Sequence, residues 1–120
     1  YAKRYDKDNA GIFMNLASIS AESSEDEKVK GVIYARNAKM QNKLGERAKA
    51  LASYSKSAEA YSNLSENESL AKDYREAALI MRSYGNAAKA KILLNKASAA
   101  AKNTDNTELK MLILQDLKAL

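Results

Sequence analysis

The chain of 120 residues carries 20 lysines and arginines against 15 aspartates and glutamates, a net charge of +5, and it has no cysteine, histidine or proline. Without cysteine, disulfides and thiolate metal sites are excluded, and without histidine there is no imidazole base or usual zinc site. We therefore expect no enzyme, no catalytic residue, no cofactor and no metal site. The lack of proline and the abundance of good helix formers predict an all-α fold.

Boundary signals along the chain predict a single domain, residues 1–120, built from about six helices. In chain order the predicted helices cover residues 3–22, 26–43, 46–63, 67–83, 86–102 and 106–120. Glycine takes up the left-handed backbone conformation that ends many helices, so Gly45 and Gly85 are predicted to close the second and the fourth. Three pairs have the capping-box spacing that begins a helix, namely Ser24 with Glu27, Ser65 with Glu68 and Asp105 with Glu108.

The chain can be laid over itself at an offset of 40 residues, and the coinciding positions suit a helical hairpin. They are Tyr34 and Tyr74, Ala38 and Ala78, Gly45 and Gly85, Ala50 and Ala90, Tyr54 and Leu94, and Lys56 and Lys96. The same register reaches Ala10 and Met14 near the start and Leu114 and Leu117 near the end, which predicts an incomplete repeat at both ends. Repeated helical hairpins usually form scaffolds, so we expect the function to depend on a surface.

The segments 45–57 and 85–97 resemble the glycine-to-second-helix part of tetratricopeptide repeats. Each has a glycine, a small residue five positions on, a large residue four further, and a small residue three beyond that. The resemblance implies antiparallel helical hairpins stacked as a short right-handed superhelix, a tetratricopeptide-like (TPR-like) α-solenoid. The closing proline is replaced by Ser62 and Lys102, and the family's period is about 34, so a HEAT-type solenoid of helical pairs, with its longer period, is the alternative.

In tetratricopeptide arrays the first helix of each hairpin lines a concave groove that holds a peptide or a partner's helix. The resemblance therefore implies a groove on the second and fourth predicted helices, with the candidate partner-binding residues Lys39, Asn42, Lys43, Lys72, Arg75 and Arg82. Such a basic groove favours an acidic segment or a terminal carboxylate. We predict a non-enzymatic protein–protein interaction module or scaffold with a peptide or protein partner and no small-molecule substrate. For any one of these residues, the alternative is a solvated basic helix face.

The fifth predicted helix offers a second class of function. It carries four lysines and no acid, namely Lys89, Lys91, Lys96 and Lys102. Electrostatic binding to nucleic acid or to an anionic membrane surface is therefore the alternative, although the helix lacks interleaved aromatic residues that would stack bases, and we do not expect nucleic acid as the partner. No stretch approaches the roughly 18–20 apolar residues of a membrane span, so we expect no transmembrane segment and a soluble domain, either cytoplasmic or exported.

The sixth predicted helix carries a set of large apolar residues. It is predicted to expose Leu112, Ile113, Leu117 and Leu120, because the second half of its hairpin is missing. We expect these residues to cap the end of the array, and an oligomer contact or a purely structural role is the alternative. Most of the tyrosines fall at repeat positions, and Tyr34, Tyr54, Tyr61 and Tyr74 are predicted to pack in the core.

Overall fold

The computed structural model of the chain describes residues 26–120, and this range is all-α, with five helices and no strand. The helices are α1 (Glu27–Lys43), α2 (Arg47–Asn63), α3 (Asn67–Ser83), α4 (Ala87–Ala101) and α5 (Thr107–Lys118). Their bounds agree with the predicted second to sixth helices to within two residues. The first predicted helix, residues 3–22, lies outside the described residues. None of the five helices is long and apolar enough to cross a membrane.

Three of the four connections are the same tight turn. After α1, the Gly45 amide donates to the carbonyl of Asn42 (3.1 Å) and the Glu46 amide donates to that of Gln41 (2.8 Å), which is the Schellman pattern of hydrogen bonds. Gly45 has a φ of +79°, and the turn after α3 has Gly85 at +77°. Both glycines therefore end helices as predicted, because the pattern requires a left-handed residue at this place.

The turn after α2 repeats this geometry without glycine. Ser65 has a φ of +56° and its amide donates to Ser62, while the Glu66 amide donates to Tyr61. The three equivalent turns recur every 20 residues, since α2 to α5 each begin 20 residues after the start of the preceding helix. The fundamental spacing is therefore one helix plus one turn, and the offset of 40 found in the sequence is two such units.

The predicted capping boxes are not formed among the described residues. Ser65 belongs to the preceding turn, and the residue that caps α3, Glu66, makes no side-chain capping hydrogen bond. Helix α5 is capped one residue later than predicted, since Asn106 Oδ1, and not Asp105, accepts from the Leu109 amide at 3.0 Å. Before α3 the tight turn fixes where the helix starts, and before α5 the neighbouring Asn106 takes the capping position.

The start of α1 also differs from the predicted box. Asp26 is the cap, and its Oδ1 accepts from the amides of Lys28 (3.0 Å) and Val29 (3.4 Å). Glu27 is the first helical residue, two positions earlier in the helix than the predicted box requires. Ser24, the other half of the predicted box, lies outside the described residues.

Neighbouring helices pack as pairs, most closely α1 with α2 and α3 with α4. The Ser57 hydroxyl near the end of α2 contacts the Gly31 carbonyl at the start of α1, and the Ser53 hydroxyl donates to Gln41 Oε1 at 2.7 Å. Residues early in one helix thus meet residues late in the other, so α1 and α2 run antiparallel. We call α1–α2 the first hairpin and α3–α4 the second.

The core consists mainly of alanines surrounding a few larger side chains. One cluster, where α1, α2 and α3 meet, contains Ala38, Ala50, Tyr54, Ala77 and Ile80. A larger one extends from α2 to α5 and includes Leu70, Ala78, Ala90, Leu94, Ala97, Leu109 and Ile113. Small residues at the contacts let the helices approach each other closely, and the large ones fill the space between pairs. The packing role predicted for the tyrosines is confirmed, because Tyr34, Tyr54 and Tyr61 are buried and Tyr74 packs against the larger cluster.

Candidate functional site

An open cleft lies between α1, α3 and α5. Its volume is about 450 Å³, a size that can accept a few side chains of a ligand. Helix α2 contributes Tyr54 and Tyr61 to the lining, and both are buried. The other lining residues are Ala35 and Lys39 of α1, Ser69, Lys72, Asp73, Arg75 and Glu76 of α3, and Asn106, Glu108, Leu109 and Leu112 at α5.

The structure brings three of the six predicted groove residues to this cleft, namely Lys39, Lys72 and Arg75. The remaining three do not line it: Asn42, Lys43 and Arg82 are exposed in the last turns of α1 and α3. The cleft runs beside the middle of α1 and the first half of α3, so residues at the far ends of these helices lie outside it.

Arg75 is held by the protein itself. Its Nε lies 2.6 Å from Asp116 Oδ2 of α5, and its Nη1 lies 3.9 Å from Glu76 Oε1. Both partners of the Arg75–Asp116 pair are largely shielded from solvent, with side-chain exposures of 20% and 16%. A charge-assisted hydrogen bond in this setting fixes α5 against α3, and the arginine is not available as a free cation.

Lys39 and Lys72 are the free cations of the cleft. Both are exposed, and neither forms an ion pair with any residue in the described range. Their ammonium groups can therefore turn toward a bound anion without breaking an existing contact. These two lysines form the basic part of the cleft.

The cleft also contains acids that sequence analysis did not assign to it. Asp73, Glu76 and Glu108 line it together with the three basic residues. The lining is therefore of mixed charge, and its basic character is confined to Lys39 and Lys72. The resemblance implied only basic groove residues, so it did not predict these acids.

Asp73 is the most unusual residue of the cleft, because it is a carboxyl group with only 5% of its surface exposed. Its Oδ2 lies 2.5 Å from the Ser57 hydroxyl, which in turn lies 2.9 Å from the Gly31 carbonyl. The pKa of Asp73 is raised from 3.8 to about 7, chiefly by burial. The negative charge of Glu76 also raises it, while a hydrogen bond donated by Ser57 and the positive charge of Lys39 lower it. Asp73 can thus change its charge near neutral pH.

Asp73 and Ser57 were missed by the sequence analysis, although the repeat contains a signal for the aspartate. At the repeat offset, Asp73 coincides with Ile33 and Ile113. Ile113 is buried and Ile33 partly buried, so the same position is apolar in the units on either side. An acid at a position that packing fills with isoleucine indicates a role other than packing.

The tyrosines near the cleft are structural. Burial raises the pKa of both Tyr54 and Tyr61, so neither phenol ionises near neutral pH. Lys56 lies over the Tyr34 ring at 5.3 Å, and the equivalent Lys96 lies over Tyr74 at 5.9 Å. Two of the repeated lysines therefore pack on aromatic faces within the scaffold.

Helix α5 faces the core with one side and solvent with the other. Of the four residues predicted to be exposed, only Leu120 is, since Ile113 is buried at 1% exposure and Leu112 and Leu117 are partly buried. That prediction was wrong because Leu109 and Ile113 pack into the larger core cluster. The exposed apolar side chains of α5 are instead Met111 and Leu114.

The lysines of the fifth predicted helix are all exposed. Lys89, Lys91 and Lys96 lie on α4, and Lys102 follows its last residue. Within residues 26–120 there is no group of three or more acidic residues placed to hold a metal ion.

Comparisons of the chain with family models, with curated proteins and with solved structures gave no significant match. Function is therefore inferred from the geometry and chemistry of the cleft.

Proposed function

We propose that this chain is a non-enzymatic protein-interaction module that holds a segment of a protein partner in the cleft between α1, α3 and α5. The observation that carries the proposal is the pair of free lysines, Lys39 and Lys72, on two helices that belong to successive hairpins. A site shared between repeats is typical of helical-hairpin scaffolds, whose stacked units present a continuous concave surface.

We propose that the helices form a solenoid of hairpins, and the right-handed, TPR-like form is what the resemblance implies. Alternate helices contribute to one cleft, and the Arg75–Asp116 pair joins the first helix of the second hairpin to the next such helix, α5. The HEAT-type alternative would place the same helices beside each other, so the proposed site does not depend on which of the two families the repeat resembles more.

The expected ligand is an extended peptide with an acidic side chain or a terminal carboxylate near Lys39 and Lys72. Glu76 and Glu108 lie in the same cleft, so a ligand with a basic residue beside its acidic one would match the cleft better than a uniformly acidic tail. Binding of such a segment needs no chemistry on the ligand, and the chain lacks both histidine and cysteine.

The proposal is tested by selecting ligands from a displayed random-peptide library with the whole chain as bait. A selected peptide is then titrated against the chain by calorimetry. We expect selected peptides to contain acidic residues, and we expect Lys39→Glu with Lys72→Glu to weaken their binding at least tenfold. The matched control reverses two exposed charges outside the cleft, Lys43→Glu with Arg82→Glu, and should change affinity by less than threefold.

Equal losses in the cleft variant and in the control would contradict the proposal, since they would indicate a general charge effect. Binding that weakens steeply with salt and is lost on reversing Lys89, Lys91 and Lys102 of the α4 region would instead support the electrostatic alternative, an association with nucleic acid or an anionic membrane surface.

A further inference from the structure

The contacts of the Ser57 hydroxyl imply a particular protonation state for Asp73. Ser57 is fully buried, and its oxygen lies 2.9 Å from the Gly31 carbonyl oxygen and 2.5 Å from Asp73 Oδ2. A hydroxyl has one proton to donate, and a carbonyl and an ionised carboxylate can only accept. With Asp73 ionised, one of the two contacts therefore has no proton in it.

Protonation of Asp73 satisfies all three groups. The Asp73 carboxyl then donates to the Ser57 oxygen, and Ser57 donates to the Gly31 carbonyl. The chain of hydrogen bonds runs from α3 through α2 to α1 with each proton used once. When Ser57 donates to ionised Asp73, that bond lowers the pKa of Asp73, but the Gly31 carbonyl then receives no proton from Ser57. Because buried polar groups are costly when unpaired, the two contacts together favour the neutral acid.

Charged groups of α1 and α3 act on Asp73. Lys39 of α1 stabilises the ionised form, and Glu76 of α3 destabilises it. The other titratable residues that share a cleft with Asp73 are Tyr54, Tyr61 and Glu59 of α2, Lys72 and Arg75 of α3, Tyr74 of α3, Lys96 of α4 and Glu108 of α5. Glu59, Tyr74 and Lys96 line a second cleft, of about 460 Å³, on the other side of Asp73.

We propose that an acidic ligand binds in the cleft together with one proton, which is taken up from solvent by the Asp73 carboxyl. The inference rests on the proposed function. A ligand carboxylate paired with Lys39 removes the positive charge that favours ionised Asp73, and it adds a negative charge near it. Both changes favour the neutral acid, whose proton completes the bonds to Ser57 and Gly31.

The direction of the pH dependence follows from linkage. Proton uptake on binding makes affinity rise as the pH falls, until Asp73 is already protonated in the free chain. With a pKa of about 7 in the free chain, the change falls between about pH 7 and 9. If the ligand raises this pKa by about one unit, the total gain in affinity is about tenfold.

The experiment is a calorimetric titration of the whole chain with a selected acidic peptide, synthesised without histidine and with both ends blocked. Titrations at pH 6.5, 7.5 and 8.5, each in two buffers of different ionisation enthalpy, give the affinity and the number of protons taken up. The chain has no histidine, so no other side chain of ordinary pKa titrates in this range. If the pKa rises by about one unit, we expect about half a proton taken up at pH 7.5 and about 0.2 at pH 8.5, and an affinity three- to tenfold higher at pH 6.5 than at 8.5.

The test variant is Asp73→Asn, which keeps the shape and imitates the neutral acid. It should bind as tightly at pH 8.5 as the unchanged chain does at pH 6.5, with no proton uptake. The matched control, Asp105→Asn, makes the same change at an exposed acid outside the cleft and should keep the pH dependence. Carbon-detected NMR of the unchanged chain follows the Asp73 carboxyl directly. It measures whether peptide binding raises the pKa of Asp73, and it needs no variant.

The possible failures are distinguishable. Peptide binding without proton uptake would overturn the proposed protonation of Asp73, and so would a pH dependence that Asp73→Asn shares with the unchanged chain. Either result leaves the cleft as the ligand site. Failure of Lys39→Glu with Lys72→Glu to weaken binding overturns the proposed function, and the coupling with it.

Discussion

The two hairpins share one scaffold but hold their helices together in different ways. At the contact where the Ser53 hydroxyl of the first hairpin donates to Gln41, the equivalent residues of the second are Leu93 and Met81. A polar pair and an apolar pair therefore occupy the same place in two copies of one fold. The spacing of helices and turns sets the backbone, and either a hydrogen-bonded pair or an apolar pair can occupy this contact between the helices.

The same contrast recurs deeper in the structure. Asn37 and Ser57 are buried in the first hairpin, and Ala77 and Ala97 are buried at the equivalent places in the second. The first hairpin thus adds buried hydrogen bonds to its apolar core, and these are costly if left unmade, whereas the second has apolar contacts at the same places. The Ser57 hydroxyl of the first hairpin contacts Asp73, which lines the cleft of the proposed ligand site.

A third difference concerns size. Gly31 faces Tyr61 in the first hairpin, and the equivalent residues of the second are Ala71 and Ala101. One copy pairs the smallest residue with a large ring, and the other pairs two small residues. Each of these contrasts leads to a measurable prediction.

The largest effect on stability is expected at Asp73, which stands where the repeat has isoleucine at residues 33 and 113. Its native pKa of about 7 lies above the value of 3.8 that it has when unfolded, so the folded chain binds more protons between these values. Stability contributed by this group is therefore full below about pH 4 and falls as the pH rises to about 7, by at most roughly 4 kcal/mol. Asp73→Asn should be more stable than the unchanged chain at pH 8 and equal to it near pH 4.

Urea unfolding at a series of pH values measures this difference directly. Asp105→Asn is the control for other carboxyl groups and should follow the unchanged chain. A constant difference between Asp73→Asn and the unchanged chain across the pH range would show that folding does not raise the pKa of Asp73.

The second prediction concerns the close approach of α1 to α2. A Cβ atom at residue 31 would lie 2.8 Å from two ring atoms of Tyr61, which is itself buried. Gly31→Ala should therefore destabilise the chain by about 1–3 kcal/mol, although alanine favours a helix.

A double-mutant cycle separates the clash from the helix preference. In a Tyr61→Ala background, which imitates the second hairpin, Gly31→Ala should instead stabilise the chain by about 1 kcal/mol, because the ring is gone. The same cost in both backgrounds would mean that the ring is not the obstacle.

The third prediction exchanges the polar pair for the apolar one. Gln41→Met alone leaves the Ser53 hydroxyl without its acceptor and should cost about 1–2 kcal/mol. Adding Ser53→Leu recreates the second hairpin's pair and should recover most of that loss, as measured by chemical denaturation. If the double variant loses as much as the two single changes added together, the two hairpins differ in backbone at this contact.

The smallest effect is expected at the turn after α2. Ser65 has the left-handed conformation that glycine supplies in the two equivalent turns. Ser65→Gly should raise stability by about 0.5–1 kcal/mol, because a side chain in this conformation is strained. Gly45→Ser and Gly85→Ser make the reverse change and should each lower the thermal midpoint; an unchanged midpoint in all three would show that the turns tolerate the side chain.

Much of the fold was predictable because it depends on local chemistry. The helix bounds follow from the glycines at the turns and from the spacing of small and large residues. The capping box at Ser65 failed because a Schellman turn fixes where the next helix starts, and the one at Asp105 failed because the neighbouring Asn106 caps α5 instead. Ser65 shows this most directly, since its sequence context favours a cap and its conformation is that of a turn.

The candidate site was predictable only in part. Lys39, Lys72 and Arg75 were named from their positions on the groove helices, but no sequence pattern shows that Asp116, 41 residues after Arg75, neutralises the arginine. Nor does a pattern show that Ser57 lies between Asp73 and Gly31. These contacts join residues on different helices, and their distances depend on how the hairpins pack.

The sequence by itself therefore determined the helices, the turns and the repeat, because each depends on residues a few positions apart. The tertiary structure alone decided which charges are free and which acid is buried. The charge state and the partner of a lysine or an aspartate depend on what packs against its side chain. Asp73 is buried because α1, α2 and α3 meet around its side chain. The specific chemistry of the cleft lies in the residues that differ between hairpins, and the scaffold that presents them lies in those that repeat.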